Sequence, residues 1–284
     1  MANDPIKAVI TIRPKDLSSK EIDATCAQMG KFDVPLFLNG KLCGSGTLVE
    51  LDGRYGVLNA DHVVRENRFD FESSQQRLGL AIQDSAHCFE IPMLYFRYIC
   101  VGKFTGKEEG RIGPDIAIVE IPRANVGDIG ARKSFYNLGQ DTSKRLEVAS
   151  RMEDGCLVYS GHPKELSEEI KNFAGFDSVE HAAGIGAIST ASNYRRANDF
   201  DYLDMDYKLD GTQSPRSYKG MSGGGVWRVD ITKNAQTNQL FFSDFTLAGV
   251  GYFQSEEAVG GFIICHGPES IYRKAVEGWK KAVE

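Results

Sequence analysis

Three residues of the types that cooperate in acyl transfer lie far apart in the chain, each within a distinctive local stretch. His62 ends a hydrophobic run in LNADHVV, Asp115 opens one in GPDIAIVEI, and Ser222 is embedded in YKGMSGGGVW. A serine hydroxyl becomes an effective nucleophile when a neutral imidazole takes its proton, and a buried carboxylate fixes the tautomer of that imidazole. The residue types and their order therefore indicate acyl transfer with Ser222 as the nucleophile.

Each stretch also has an ordinary structural interpretation when it is taken alone. A histidine after a strand is usually packed or exposed, and an aspartate at the start of a strand is usually a turn residue. The glycines around Ser222 are typical of a turn, because glycine weakens a strand and packs no side chain. The combination of all three stretches in this order favours the chemical interpretation.

The three stretches resemble the active-site blocks of the trypsin-like (chymotrypsin-fold) serine peptidases. The block around Ser222 is the most specific, and CGSGTLVE (43–50) resembles the entry strand of that family. The resemblance covers roughly residues 34–284. It implies a chymotrypsin-like fold and a peptidase activity.

Carried over position by position, the resemblance gives each residue a role. His62 is expected to act as general base and then acid, Asp115 as the orienting carboxylate, and Ser222 as the nucleophile. The backbone N–H groups of Gly220 and Ser222 are expected to form the oxyanion hole. Asp61 is a poor rival for Asp115, because side chains of neighbouring residues diverge.

The resemblance also places a substrate pocket. Arg216 falls near the base of this pocket and predicts a preference for acidic or small P1 residues over basic ones. The alternative, that Arg216 points to solvent after a loop insertion, stays open. The substrate-binding residues implied in this way are Arg216, Ser217, Lys219, Gly251, Tyr252 and Phe253.

Departures from the family pattern are informative. Val63 and Tyr218 stand where secreted relatives have cysteines, which indicates a type without these disulfides. Met221 replaces an aspartate that pairs with a newly cleaved N-terminus in zymogen-activated relatives, so activation of that kind is not expected. Gly251 lies where many relatives have a serine that supports the catalytic aspartate, and Tyr252 is a conceivable replacement.

Composition narrows the function classes. The net charge of −6, without a basic stripe, argues against nucleic-acid binding. The sequence has no apolar run near 18 residues and no evident signal peptide, so we expect no membrane association and a cytoplasmic location. Six widely spaced cysteines without a CxxC pair favour reduced thiols. The pairs His87-Cys88 and Cys265-His266 lack ligand spacing, so we expect neither metal nor cofactor.

The elements that must position these residues are mainly strands. We predict an all-β fold of two packed six-stranded antiparallel β-barrels, with an N-terminal helical segment and a C-terminal α-helix. The expected divisions are 1–32 for an N-terminal extension with a short helix, 33–125 for the first barrel with the histidine and aspartate, 126–145 for a connection, 146–266 for the second barrel with the serine, and 267–284 for the terminal helix.

Several local predictions accompany this architecture. Ser18 and Glu21 are spaced as a helix capping box, and Asp52-Gly53 predicts a hairpin turn. The run 146–150 predicts a strand, and 163–173 predicts a short helical insert. We expect the terminal helix to pack through Trp279 onto the second barrel.

The sequence therefore predicts a serine endopeptidase that acts on a protein or peptide substrate. Activation by a protein partner or another ligand stays open. The alternative is a catalytically silent protease-fold module that binds or regulates another protein. The sequence does not fit an esterase of the α/β-hydrolase type, because that fold has its serine between a strand and a helix and its histidine last in the chain.

Overall fold

The computed structural model describes nine stretches of the chain. These are residues 7–8, 17–83, 87–103, 113–151, 156–173, 176–206, 217–234, 240–255 and 261–282. Of the predicted site residues, Arg216 lies outside the described residues.

Eighteen strands occur in the described part of the chain. In chain order they are β1 (Lys7–Ala8), β2 (Asp33–Leu38), β3 (Lys41–Leu51), β4 (Arg54–Asn59), β5 (Arg77–Gln83), β6 (His87–Pro92), β7 (Arg97–Gly102), β8 (Ile116–Glu120), β9 (Tyr136–Asn137), β10 (Cys156–Gly161), β11 (Ser167–Phe173), β12 (Phe176–Ala182), β13 (Ile185–Ser189), β14 (Ala191–Ala197), β15 (Phe200–Asp206), β16 (Gly225–Asn234), β17 (Leu240–Gln254) and β18 (Phe262–His266).

The helices are fewer. They are α1 (Ser19–Met29), α2 (Asp61–Glu66), α3 (Arg123–Gly130), α4 (Thr142–Ser150) and α5 (Val276–Lys281), with a π-helical turn, Ser270–Ala275, directly before α5.

The first sheet carries the histidine and aspartate stretches. Its strand order is β6-β5-β2-β3-β4-β8-β7, and the short β9 runs parallel to β3. Asp52 and Gly53 join β3 to β4 with φ angles of 52° and 76°. Two consecutive residues with positive φ are typical of a two-residue hairpin turn. The predicted hairpin turn is confirmed. The ladder between β4 and β8 places the strand that follows Asp115 beside the strand that precedes His62.

The second sheet carries the serine stretch. Its order is β13-β10-β16-β17-β18-β15-β14, with β1 paired to β16. Ser222 lies just before β16, which pairs with β10 on one side and β17 on the other. The serine loop is therefore anchored at the centre of this sheet.

The predicted fold class is confirmed: the protein is mostly β, with two antiparallel sheets, a helix before them and a helix after them. Each sheet has eight strands where six were expected. No ladder joins the two end strands of either sheet within the described residues.

Two local predictions were wrong. Residues 146–150 belong to α4 and not to a strand, since Leu146 and Ala149 share one packed face at helical spacing. A five-residue apolar run does not separate these alternatives by itself. In 163–173, a short 3₁₀ turn precedes β11, which pairs with β12 to form a separate hairpin. By contrast, the predicted capping box is confirmed, because Ser18 and Glu21 exchange both hydrogen bonds at the start of α1.

The terminal helix packs against the first sheet, which corrects the expectation that Trp279 would pack on the second barrel. Trp279 is fully buried, and a Cβ added to Gly56 of β4 would lie 3.2 Å from its ring. The Arg54 guanidinium lies 5.3 Å from the ring centroid and donates to the Trp279 carbonyl at 2.8 Å. The terminal helix therefore packs on the sheet whose strands β4 and β8 adjoin His62 and Asp115.

Two negative findings concern the described residues. None of their helices has the length and apolar character needed to cross a lipid bilayer. All six cysteines are free thiols.

We predict that Trp279→Ala lowers the free energy of unfolding by about 3–5 kcal/mol, because it leaves a large cavity under the terminal helix. Urea unfolding followed by circular dichroism measures the change. Lys280→Ala, which alters an exposed neighbour of Trp279, is the matched control and should cost less than about 1 kcal/mol. Equal stability of the two variants would contradict the proposed anchoring role.

Candidate active site

His62 and Asp115 are joined by two hydrogen bonds. The His62 backbone N–H donates to Asp115 Oδ1 at 2.7 Å, and the imidazole Nδ1 lies 2.7 Å from Asp115 Oδ2. Because an ionised carboxylate only accepts, the Nδ1 atom carries the proton and Nε2 of the neutral ring keeps its lone pair. The histidine side chain is 23% exposed and the aspartate side chain 6%. This arrangement suits Nε2 for accepting a proton.

The interaction between the two side chains stabilises the charged form of each of them. Burial opposes protonation of His62, but the hydrogen bond and charge of Asp115 outweigh it, so the His62 pKa is raised above 6.5. Burial also opposes ionisation of Asp115, yet the hydrogen bond and charge of His62 prevail, and the Asp115 pKa is lowered below 3.8. The stabilisation from His62 is full below pH 6.5 and disappears as the pH rises through its folded pKa. That from Asp115 is present above pH 3.8 and is lost as the pH falls.

Asp61 is engaged elsewhere. Its buried carboxylate accepts hydrogen bonds from the Tyr98 hydroxyl and from Nε of Arg65. It therefore does not compete with Asp115 for the His62 imidazole.

The backbone of Asp115 is supported by a residue that the sequence did not single out for this role. The Asp115 N–H donates to Nε2 of His266 at 2.9 Å, and His266 is fully buried at the end of β18. Burial lowers the His266 pKa to about 4, so the ring is neutral and accepts this bond. Tyr252 stacks on His266 at 4.8 Å between ring centroids. The Asp115 carboxylate accepts two hydrogen bonds from His62, and a role for Tyr252 in place of the missing serine stays a prediction.

Ser222 lies against the first sheet, close to the histidine stretch. Its carbonyl accepts from the Ser45 N–H at 3.0 Å. A Cβ added to Gly44 would lie 2.7 Å from the Val63 side chain and 3.3 Å from the Ser222 carbonyl oxygen. The Ser222 hydroxyl donates to the Tyr252 carbonyl at 3.4 Å, and no hydrogen bond joins it to His62 in the described part of the chain. The structure thus brings the three predicted residues into one region, with the hydroxyl on the Tyr252 carbonyl.

Two of the glycines after Ser222 are needed for close packing. A Cβ on Gly223 would lie 1.9 Å from Oδ1 of Asn59, at the end of β4, and one on Gly224 would lie 2.1 Å from the Ser160 carbonyl oxygen. Gly223 also has a φ of 91°, which side-chain-bearing residues rarely adopt. The serine loop is therefore fitted between the two sheets.

The first candidate oxyanion N–H, that of Gly220, is oriented by its own peptide group. The preceding carbonyl, of Lys219, accepts from the Lys164 N–H at 2.7 Å. In a trans peptide the N–H points opposite to the carbonyl, so the Gly220 N–H points away from Lys164. The Gly220 carbonyl is held separately by the Ser45 hydroxyl at 2.9 Å.

The second candidate N–H, that of Ser222, is oriented in the same manner. The Met221 carbonyl accepts from the Gly224 N–H at 2.8 Å and from the Tyr159 hydroxyl at 2.6 Å. The Ser222 N–H therefore points away from Tyr159. The Met221 side chain is fully buried and packs on Gly161, where it has no ionic role.

The remaining predicted substrate residues surround this loop. The Ser217 N–H donates to Glu165 at 3.0 Å, and the Lys219 N–H donates to the Ser217 hydroxyl at 3.2 Å. Gly251 exchanges two backbone bonds with the serine loop, and a Cβ on it would lie 2.6 Å from the Tyr159 ring.

Phe253 is half-buried and follows Tyr252 in β17. Among the described residues, no group of three or more His, Cys, Asp or Glu side chains is arranged to hold a metal ion.

Sequence reasoning missed Tyr159, and it missed the supporting role of His266. Neither lies in a recognisable motif: Tyr159 is one residue of the apolar run CLVYS, and His266 is the last residue of the run FIICH. Only the pairing of distant strands brings them to the site. The sequence carries no local signal that would have identified them.

The similarity of this chain to known proteins is structural and distant. No family model matches the chain, and no curated protein matches its sequence. A solved structure of a thermostable serine protease from an extremophilic microorganism is similar at a TM-score of 0.44 and 10% identity, covering 88% of this chain and 94% of that one. A structure from work on the intrinsically disordered Sesbania mosaic virus VPg protein is similar at 0.45 and 13%, covering 86% and 88%. Similarities of this strength say nothing about chemistry.

We predict that Asp115→Asn lowers the pKa of His62 below 6.5, because burial still opposes protonation while the carboxylate charge is gone. A titration of the histidine ring signals by NMR measures the shift. Glu66→Gln removes a more distant charge and should lower the same pKa less. A His62 pKa unchanged in Asp115→Asn would contradict the pairing, whereas His266 should stay neutral above about pH 5 in every variant.

Proposed function

We propose that the protein is a serine endopeptidase that hydrolyses peptide bonds through Ser222, His62 and Asp115. The observation that carries this proposal is the 2.7 Å contact between His62 Nδ1 and Asp115 Oδ2. It leaves the lone pair of Nε2 available in a region where the serine loop meets the first sheet. Fold likeness alone would not support an activity.

The proposed reaction proceeds through an acyl-enzyme. The Ser222 hydroxyl first rotates from the Tyr252 carbonyl towards His62. Its oxygen then attacks the substrate carbonyl carbon while the proton passes to Nε2, and the imidazolium next protonates the leaving amine. A water molecule, deprotonated by the same nitrogen, finally cleaves the ester and restores the Ser222 hydroxyl.

The charges support this sequence of proton transfers. Asp115 stays ionised at neutral pH because its pKa is lowered, so it stabilises the imidazolium that forms on His62. The negative oxygen of the tetrahedral intermediate would accept from the N–H groups of Gly220 and Ser222. Loss of one such donor costs about 2.7–4 kcal/mol of transition-state stabilisation in a related case.

The substrate class we propose is a protein or peptide, with acidic or small residues preferred at P1. The close packing of Tyr159 on Gly251 supports a narrow pocket. The six free thiols support function in a reducing compartment, for which the cytoplasm is our proposal.

A second candidate function is a catalytically silent module that binds or regulates another protein. The observation that favours it is the hydrogen bond from the Ser222 hydroxyl to the Tyr252 carbonyl, because this bond engages the hydroxyl with a group other than His62. A peptidase activated by a partner would show the same resting geometry. Covalent labelling separates these candidates.

We predict that a fluorophosphonate labels the protein once per chain, and that Ser222→Ala abolishes the labelling because the reactive oxygen is lost. Intact-mass spectrometry measures the adduct. Ser74→Ala, which removes an exposed serine, is the matched control and should label normally. The silent module would be favoured if folded wild-type protein stayed unlabelled with and without candidate partners.

We also predict that Tyr159→Phe lowers kcat by about three- to tenfold with little change in KM, since one neutral hydrogen bond to the Met221 carbonyl is lost. The Gly224 N–H still holds that carbonyl, so the loss is partial. Steady-state kinetics on a peptide substrate separate the two constants. An effect on KM alone would instead place Tyr159 in substrate binding.

A further inference from the structure

A pocket lies close to the serine loop, and none of the three proposed catalytic residues lines it. Its volume is about 450 Å³, and it opens between α1, the start of β2 and the segment 182–186. Ala27 lines it from the exposed side of α1, and Asp33 and His162 line it from the two sheets. The pocket therefore lies where the two sheets and the N-terminal helix meet.

Two residues that line this pocket have buried polar atoms without a hydrogen-bond partner among the described residues. Asp33 is 3% exposed, and its Oδ1 atom has no hydrogen-bond partner among the described residues. Oδ2 lies 3.1 Å from Nε2 of His162, an ion-pair distance, but neither ring nitrogen has a partner in hydrogen-bond geometry. His162 is 8% exposed. Buried polar atoms are normally hydrogen-bonded, so these atoms can take a hydrogen-bonding group.

The unsatisfied atoms specify the chemistry of that group. Asp33 Oδ1 is a carboxylate oxygen and accepts hydrogen bonds, and a His162 tautomer with its proton on Nε2 would present Nδ1 as a second acceptor. Lys133, the cation nearest in the lining, already donates to the backbone carbonyls of Gly30 and Asp33 at 2.9 and 2.8 Å. The carboxylate has no other ion-pair partner than His162 in the described chain. A ligand with several N–H donors and a positive charge satisfies both acceptors.

The pocket is mechanically linked to the proposed oxyanion loop. The His162 N–H donates to the Ser45 hydroxyl at 2.8 Å, and that hydroxyl donates to the Gly220 carbonyl at 2.9 Å. A Cβ on Gly220 would lie 2.9 Å from the His162 carbonyl oxygen. These segments are in direct contact, so we expect a shift of His162 to displace Gly220.

We infer that this pocket binds a small organic cation of the guanidinium or ammonium type through Asp33 and His162, and that its occupancy adjusts the geometry of the Gly220 loop. The binding inference stands by itself. The effect on rate rests on the proposed peptidase function.

The binding test uses methylguanidinium on the Ser222→Ala protein, so that it does not depend on activity. We expect saturable binding of one molecule per chain at millimolar concentration by isothermal titration calorimetry. Tetramethylammonium, which has charge but no N–H donor, and urea, which has donors but no charge, should both bind at least about tenfold more weakly. Equal binding of either control compound, or no binding of methylguanidinium, would overturn the inference.

Variants locate the site. Asp33→Asn and Ala27→Trp, each in the Ser222→Ala background, should weaken methylguanidinium binding at least about tenfold, the first by removing the charge and the second by filling the entrance. Ala27 is exposed, so its replacement tests the pocket even if Asp33→Asn fails to fold. Asp52→Asn, at an exposed aspartate, is the control and should bind normally. Unchanged binding in folded Ala27→Trp would overturn the location.

The coupling is tested with serine intact. Methylguanidinium should change the rate of fluorophosphonate labelling of the wild-type protein at least about twofold and leave the rate of Ala27→Trp unchanged. Binding without a rate change would overturn the coupling and keep the site. Binding to a protein that is never labelled would support the site while the proposed peptidase function fails.

Discussion

The close approach of the serine loop to both sheets is the constraint on which the rest of the site depends. At Gly223 and Gly224, the backbone lies so near Asn59 and Ser160 that a Cβ at either position would fall within about 2.1 Å of them. Real Cβ atoms do not tolerate such distances, so these positions have no alternative residue without a backbone shift. The loop that carries Ser222 is consequently packed on the first sheet at Gly223 and on the second sheet at Gly224.

Because this loop is fixed, the N–H groups of Gly220 and Ser222 keep their direction without an ion pair. Planar peptides convert the anchoring of a carbonyl into the direction of the next N–H. Lys164 anchors the carbonyl of Lys219, and Tyr159 helps to anchor that of Met221. A buried thioether at position 221 is therefore compatible with an ordered loop, because the tyrosine hydroxyl and the backbone supply the holding interactions that an ion pair would otherwise provide.

The sequence predicted what depends on local chemistry and missed what depends on distant pairing. The hairpin at Asp52 follows from two adjacent residues that tolerate a left-handed conformation, so the Asp-Gly pair alone identifies it. The run around Leu146 was misassigned, because five residues do not distinguish a buried helix face from a strand. The packing of Trp279 on the first sheet, and the contacts of Tyr159 and His266, arise from strands far apart in the chain. No spacing rule within one segment encodes such contacts.

The two histidines near Asp115 show how burial and partners divide their roles. His62 is partly exposed and has a carboxylate partner, so its pKa is raised; His266 is enclosed by aromatic rings, and its pKa is lowered to about 4. If His266 were charged, it would present a second cation to Asp115 and weaken the preference of the carboxylate for the imidazolium of His62. A neutral His266 instead accepts the Asp115 N–H through a lone pair. Burial thereby supports the Asp115 backbone and leaves the carboxylate with one cationic partner.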